Sequence, residues 1–258
     1  VPAKRLYAPI PHSQFPIPKN MSAVAVKNLV FNYPEKEPIL RGISFKIEVG
    51  ERVALLGPTG TGKSTLMENL IGLKKPIGGQ IWIKEIPVET ETLSEVRRRV
   101  GFCFQNADYQ LFMPTIFEDI TFGPLNYGSS LEEAEEVARK LLKEFGLEKD
   151  ANRSAYELSG GQKRLAALAT ILANKPSVLI LDEPTNGLDP LWRRNLAEIL
   201  PQLPVEAMLI ASHDLNWISK VTQRALVLTE GEIKADAPTS ELLKDAATLE
   251  LYGLPLGY

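Results

Sequence analysis

The chain has 258 residues, is 44% hydrophobic and carries 29 Lys and Arg against 32 Asp and Glu, a net charge of -3. That length suits one large domain or two small ones around a sizeable core, and the near balance of charge gives no electrostatic basis for a phosphate-backbone partner, so no nucleic acid is expected. Its longest apolar stretches, such as residues 178–181, fall far short of the roughly 20 apolar residues that span a hydrocarbon core, so any work at a membrane requires other chains to hold the protein there.

Residues 1–20 differ from the rest. Pro2, Pro9, Pro11, Pro16 and Pro18 interrupt any helix and remove backbone donors, and no continuous apolar run marks a secretory signal. They are expected to form an N-terminal extension, with Met21 as the functional start. Strand signals follow at 25–31, 43–47 and 81–83, where alternating or β-branched residues are punctuated by Gly and Pro; these predict an outer antiparallel sheet. Residues 52–56 form a short apolar run entering a glycine-rich turn, and 64–72 reads as a helix, which makes a strand, loop, helix unit.

Cys103, the single cysteine, sits in the apolar run 100–104 and is expected to be a buried core side chain rather than a reactive one. The run Arg97-Arg98-Arg99 beside Glu95 reads as the solvated face of a helix. Between 104 and 175 strand signals disappear and two helical patterns dominate, 131–145 and 161–174, with apolar residues at spacings of three and four. Buried strands return at 178–182, 207–212 and 225–228, with helical patterns at 191–200 and 215–221 between them, the alternation of a parallel, helix-covered sheet. The predicted fold is therefore α/β: a parallel, helix-covered sheet with an antiparallel β-subdomain and an inserted α-helical subdomain at about 107–175. The domain is expected to span 21–245, with 246–258 as a C-terminal tail.

Gly57-Pro58-Thr59-Gly60-Thr61-Gly62-Lys63-Ser64-Thr65 matches G-x-x-x-x-G-K-[ST], directly after a strand and opening a helix, so the sheet is expected to be a P-loop NTPase sheet. Glycines allow successive N–H groups to turn inward around phosphate oxygens, which a following helix end also attracts. Lys63 is expected on the β/γ oxygens of ATP and Ser64 on Mg²⁺, with Thr65 supporting from the helix. The apolar run 178–181 ends in Asp182 and Glu183, whose side chains leave a strand on different sides. Asp182 is expected to hold Mg²⁺ and Glu183 to act as general base on the attacking water.

Leu158-Ser159-Gly160-Gly161-Gln162 before a helix, together with those motifs in this order, resembles the signature of ABC ATPases. The resemblance covers roughly 24–243. It implies that Gln105 is the Q-loop residue touching the metal site, Leu188-Asp189 the D-loop and His213 the switch histidine beside the γ-phosphate, and that Tyr33 stacks on adenine, although an aromatic before Pro34 also suits simple packing. It further implies a second ABC ATPase chain, identical or related, so that each ATP lies between one chain's phosphate loop and the other's Ser159, Gly160, Gly161 and Gln162.

Residues 105–112 and 118–126 are similar to the ATPase subunits of energy-coupling-factor transporters, including cobalt and nickel importers. That likeness implies a groove for a transmembrane coupling protein, a substrate-binding membrane component, a peripheral place on the cytoplasmic face of the membrane, and a metal ion or vitamin as cargo. Tyr109 departs from the acidic residue usual there, and the chain after Leu243 is short for the C-terminal dimerisation region of many such subunits. A soluble assembly scaffold is the alternative function, favoured if only soluble partners bind.

Overall fold

The computed structural model describes residues 22–254; the proline-rich extension, Met21 and residues 255–258 lie outside the described residues. The elements, in chain order, are β1 Ser22–Phe31, β2 Leu40–Glu48, β3 Arg52–Leu56, α1 Lys63–Leu70, β4 Gly78–Ile83, β5 Ile86–Pro87, α2 Leu93–Arg99, β6 Val100–Cys103, α3 Ile116–Asn126, α4 Leu131–Glu144, α5 Gly160–Leu172, β7 Val178–Asp182, α6 Pro190–Ile199, β8 Ala207–Ala211, α7 Leu215–Val221, β9 Arg224–Thr229, β10 Glu232–Pro238, α8 Thr239–Leu242 and α9 Ala246–Leu251. They build a four-stranded antiparallel sheet, β2-β1-β4-β5, and a six-stranded sheet, β10-β9-β3-β8-β7-β6, parallel except for β10.

Strand alternation divides the core in two. Val53 and Leu55 of β3, and Val178 and Ile180 of β7, face the small sheet and α1, joining Leu66, Met67 and Leu70. Ala54, Leu56, Leu179 and Leu181 face the opposite way, onto the helices of the α-rich half. Both faces are covered, which is why these strands are apolar throughout rather than alternating. The same second core takes in Leu249 of α9 and Leu254, so the chain is packed as far as it is described.

Between β6 and β7 lie three α-helices rather than two. In α4, Ala134, Ala138, Leu141 and Leu142 form the buried stripe, and Ser130 with Glu133 makes a capping box. The additional helix, α3, opens with an equivalent box in which Glu118 N donates to Thr115 Oγ1 and Thr115 N donates to the Glu118 carboxylate. The Thr-x-x-Glu spacing at 115–118 is a readable start signal. Gly123 and Pro124 near its end, both unfavourable inside helices, masked it. The hairpin strand β10 was missed for a different reason: it is exposed and charged, and pairs with β9 through a two-residue turn, Glu230-Gly231, with both φ positive.

The arginine run is more than a solvated face. Arg97 donates to the carbonyls of Ile71 and Gly72 after α1, Arg98 lies over the Tyr127 ring at 5.6 Å, and only Arg99 pairs along the helix with Glu95.

Candidate functional site

The loop from β3 to α1 depends on two glycine positions. Gly57 has φ 152°, and a Cβ there would stand 2.1 Å from the carbonyl oxygen of Leu228 on β9, so no side chain fits. Gly62 caps α1 in the left-handed region at φ 101°. Lys63 curls back over the loop, donating to Gly57 O at 2.6 Å and Pro58 O at 2.9 Å, while Thr61 Oγ1 also donates to Pro58 O. Burial lowers the Lys63 pKa, and the nearby carboxylates of Glu183 and Asp182 oppose that shift.

Asp182 and Glu183 take different partners, and the backbone conformation differs between them. Asp182 closes β7 and accepts a hydrogen bond from Ser64; burial raises its pKa, the Ser64 hydroxyl partly offsetting this. Glu183 leaves the strand with φ 51°, an unusual conformation for a side-chain-bearing residue. Its amide still continues the ladder to Ala211 O at 2.9 Å. The turn aims its carboxylate at His213, whose Nδ1 lies 2.8 Å from Glu183 Oε2 and whose N–H donates to the same oxygen at 3.3 Å. Glu183 is buried, whereas the His213 side chain is 74% exposed, its ring reaching outward.

Lys63, Ser64, Asp182, Glu183 and His213 are therefore one connected cluster around the glycine loop. Ser64 and Asp182 are hard oxygen donors hydrogen-bonded to each other beside a lysine. That donor set fits a divalent cation that keeps waters and phosphate oxygens in its shell. Among the described residues no group of three or more His, Cys, Asp or Glu is placed to hold a metal ion.

Other expected site residues stand apart from the cradle or have their polar atoms engaged. Thr65 is buried and its hydroxyl bonds Tyr33 Oη at 3.0 Å. Tyr33 also packs edge-on against Phe31, with Lys74 Nζ 5.0 Å from its ring centre. Ser159 accepts from Gln162 N, and the Gln162 amide completes the box to Ser159 N while donating to Asp150 at 2.9 Å; its side chain is occupied with holding the helix start. Asp189 likewise caps α6, accepting from Trp192 N. Ser159 and Gly160 are exposed at the start of a 13-residue helix, whose first-turn N–H groups have no acceptors within the helix. Beside them lies the Gly187 loop, with Gly187 O 3.5 Å from where a Cβ of Gly161 would be. Gln105 is exposed on the loop after β6.

Sequence reasoning missed three links from that loop to α5. The buried Arg164 donates to Phe104 O at 2.5 Å and to Gln105 O. Lys163 Nζ meets Asp108 at 2.6 Å, and Gln110 Nε2 donates to Ala167 O and Thr170 Oγ1. A charged residue two positions after Gln162, in a helix that is otherwise mostly apolar, was the available signal.

The family model for ABC transporter matches residues 40–186. The chain is 41% identical over 237 residues, 90% of this chain and 76% of the relative, to the energy-coupling factor transporter ATP-binding protein EcfA of Methanothermobacter thermautotrophicus. Among solved structures it is similar to cbiO1 from Clostridium perfringens, part of the ABC transporter complex cbiONQ, with TM-score 0.77 and 32% identity over 92% of this chain and 96% of that one. It is also similar to the ATP-binding cassette MJ0796, a dimer in a post-hydrolysis state bound to ADP and Pi, with TM-score 0.74 and 30% identity over 84% of this chain and 98% of that one.

Proposed function

The chain belongs to the ABC transporter family of ATP-hydrolysing cassettes, and from that premise we propose that it is the motor of an energy-coupling-factor-like importer for a metal ion such as cobalt or nickel, or for a vitamin. On this reading the Gly57–Thr65 loop holds the ATP phosphates, and Lys63 exchanges its two loop carbonyls for β- and γ-oxygens. Ser64 and Asp182, with Gln105, would hold Mg²⁺, which when bound neutralises charge developing on the phosphoryl oxygens. Glu183 takes the proton of the attacking water, and His213 holds its carboxylate and reaches the γ-phosphate. Tyr33 supports the adenine.

A second cassette, the same chain or a related one, completes each site. Ser159 and the amides of Gly160 and Gly161 present a helix start to the γ-phosphate of the partner's ATP, with Gln162 holding that turn in shape and Asp189 beside it. Hydrolysis divides the charge gripped by both halves, and the pair opens.

The observation that carries the transport reading is a cleft of about 200 Å³ where α3 and α5 meet β6, lined by Gln110, Phe112, Asp119, Phe122, Thr170 and Asn174. Tyr109 and Phe112 beside it are 76% and 65% exposed, and Phe112 stacks edge-on against Phe122. Within the lining, Gln110 Oε1, Asp119 Oδ2 and Asn174 Oδ1 are buried acceptors without a hydrogen-bond partner. An apolar rim over unsatisfied acceptors suits a helix that brings both apolar side chains and donors. No described helix is long and apolar enough to cross a membrane, so such a helix would come from a membrane partner.

Affinity purification of the tagged chain from detergent-solubilised membranes tests this. Polytopic membrane proteins should copurify with the parental chain and be lost with Phe112→Asp, while the free variant's ATPase rate stays within twofold of the parent. Recovery of soluble partners alone would support an assembly scaffold and overturn the importer.

A further inference from the structure

We propose that Arg164 is a positioning residue that ties the signature helix to the Gln105 loop of the same chain, so that grip on one ATP sets the Q-loop at the other. This inference rests on the proposed pairing of two cassettes.

Arg164 lies at 3% exposure on the buried side of α5, on a face that also carries Leu168 one turn on. Its donors go to Phe104 O at 2.5 Å, to Gln105 O and to Cys103 Sγ at 3.4 Å, while its Nε has no partner. No ion pair with a carboxylate joins it among the described contacts; two carbonyls and a thiol carry the desolvated charge. As a packing element this is unfavourable, because an apolar side chain of similar length would fill the space without desolvating a cation.

Its geometry suits a different task. The carbonyls of Phe104 and Gln105 belong to the two peptide planes on either side of the Gln105 Cα. One planar guanidinium fork holding both fixes the two dihedrals of Gln105 and so the direction in which its side chain leaves the loop. Lys163 to Asp108 and Gln110 to Ala167 and Thr170 fasten the rest of the segment to the same helix. Arg164 stands four residues after Gly160, about 6 Å along the helix axis. A displacement of the signature turn, as it closes on the partner's phosphate, therefore moves Gln105 with little lost in between. A lysine can keep the charge but lacks the fork that spans both planes.

The test uses the full chain as Arg164→Met and Arg164→Lys, each alone and with Glu183→Gln. In the Glu183→Gln parent, ATP should drive dimer formation, and peptides covering 103–110 should exchange hydrogen at least tenfold more slowly in that dimer. Arg164→Met should keep its melting temperature and bind a fluorescent ATP analogue within twofold of the parent, yet lose at least tenfold in kcat and the dimer-linked protection of 103–110. Arg164→Lys should recover part of the kcat. A merely structural role would lower melting temperature and nucleotide affinity together. If Arg164→Met does not fold, Arg164→Lys decides alone: parental kcat and parental protection overturn the strut, and reduced values of both support it. A parent that forms no ATP-driven dimer sinks the pairing, and the strut with it; a parent that dimerises while the variants match it sinks only the strut.

Discussion

Glu183 Oε2 accepts from both the ring and the backbone of His213, at 2.8 Å and 3.3 Å, and this pair closes the one cluster of charged groups at the glycine loop. Because His213 is mostly exposed and Glu183 buried, the histidine fixes the carboxylate while remaining open to whatever enters the loop. The carboxylate is thereby held by His213, whereas Asp182 pairs with Ser64.

Replacing the carboxylate by its amide removes the base and keeps the shape. Glu183→Gln should therefore bind ATP as the parent does and hydrolyse it about 10²- to 10⁴-fold more slowly, and should accumulate as an ATP-loaded dimer. Steady-state phosphate release and size-exclusion chromatography with ATP check both; an unchanged rate would show that Glu183 is not the base.

Lys63 acts on binding itself. Its ammonium already makes two short hydrogen bonds in the loop, and charge-assisted bonds contribute about 1.5–3 kcal/mol each, so Lys63→Ala should weaken ATP affinity by roughly 10- to 100-fold. Isothermal titration with a slowly hydrolysed analogue is the measurement, and unchanged affinity contradicts the assignment.

Gly57 is a stability and binding test together. A methyl group there meets the Leu228 carbonyl at 2.1 Å, so Gly57→Ala must move β9 or open the loop. Backbone strain of this kind costs about 1–3 kcal/mol. Both the melting temperature and ATP affinity should fall; a variant equal to the parent in both would show the loop is not held as described.

Asp119 gives a pH signature. Burial raises its pKa although the amides of Phe112 and Met113 donate to its Oδ1. The folded chain therefore holds a proton that the unfolded chain has already released, and stability falls as pH rises from the ordinary carboxyl range, about 3.9, through the raised value. Asp119→Asn keeps an acceptor for both amides and removes the ionisation. Its melting temperature should exceed the parent's at pH 7, with the difference shrinking toward pH 4; a difference independent of pH would contradict this reading.

Much of this was legible in the sequence because each signal was local. The phosphate loop is a fixed spacing after a strand, β7 is an unbroken apolar run ending in two acids, and α5 starts at a capped Ser-Gly-Gly-Gln turn, so their places in the fold followed from pattern alone. What escaped reading depends on contacts between distant segments. Arg164 reaches carbonyls about 60 residues earlier, and the charge sequence of α5 says nothing of it. The pairing of Glu183 with His213 needs β7 beside β8, and Glu183's left-handed backbone, which aims the carboxylate, has no mark in its residue type. Helix α3 was hidden by its own Gly123 and Pro124, and β10 by its exposure. The engagement of Gln162 and Asp189 in helix caps shows the reverse limit: a motif residue's position is readable, whereas which of its atoms remain free is not.

The proposal as a whole is tested most directly by transport. Membrane partners copurified with the chain would be reconstituted into liposomes with ATP outside, and uptake of cobalt, nickel and a panel of vitamins measured with the parental chain, with Glu183→Gln, and with the chain omitted. The account predicts ATP-dependent accumulation of one of these solutes with the parental chain only. Uptake that proceeds equally without the chain, or with Glu183→Gln in its place, would contradict it.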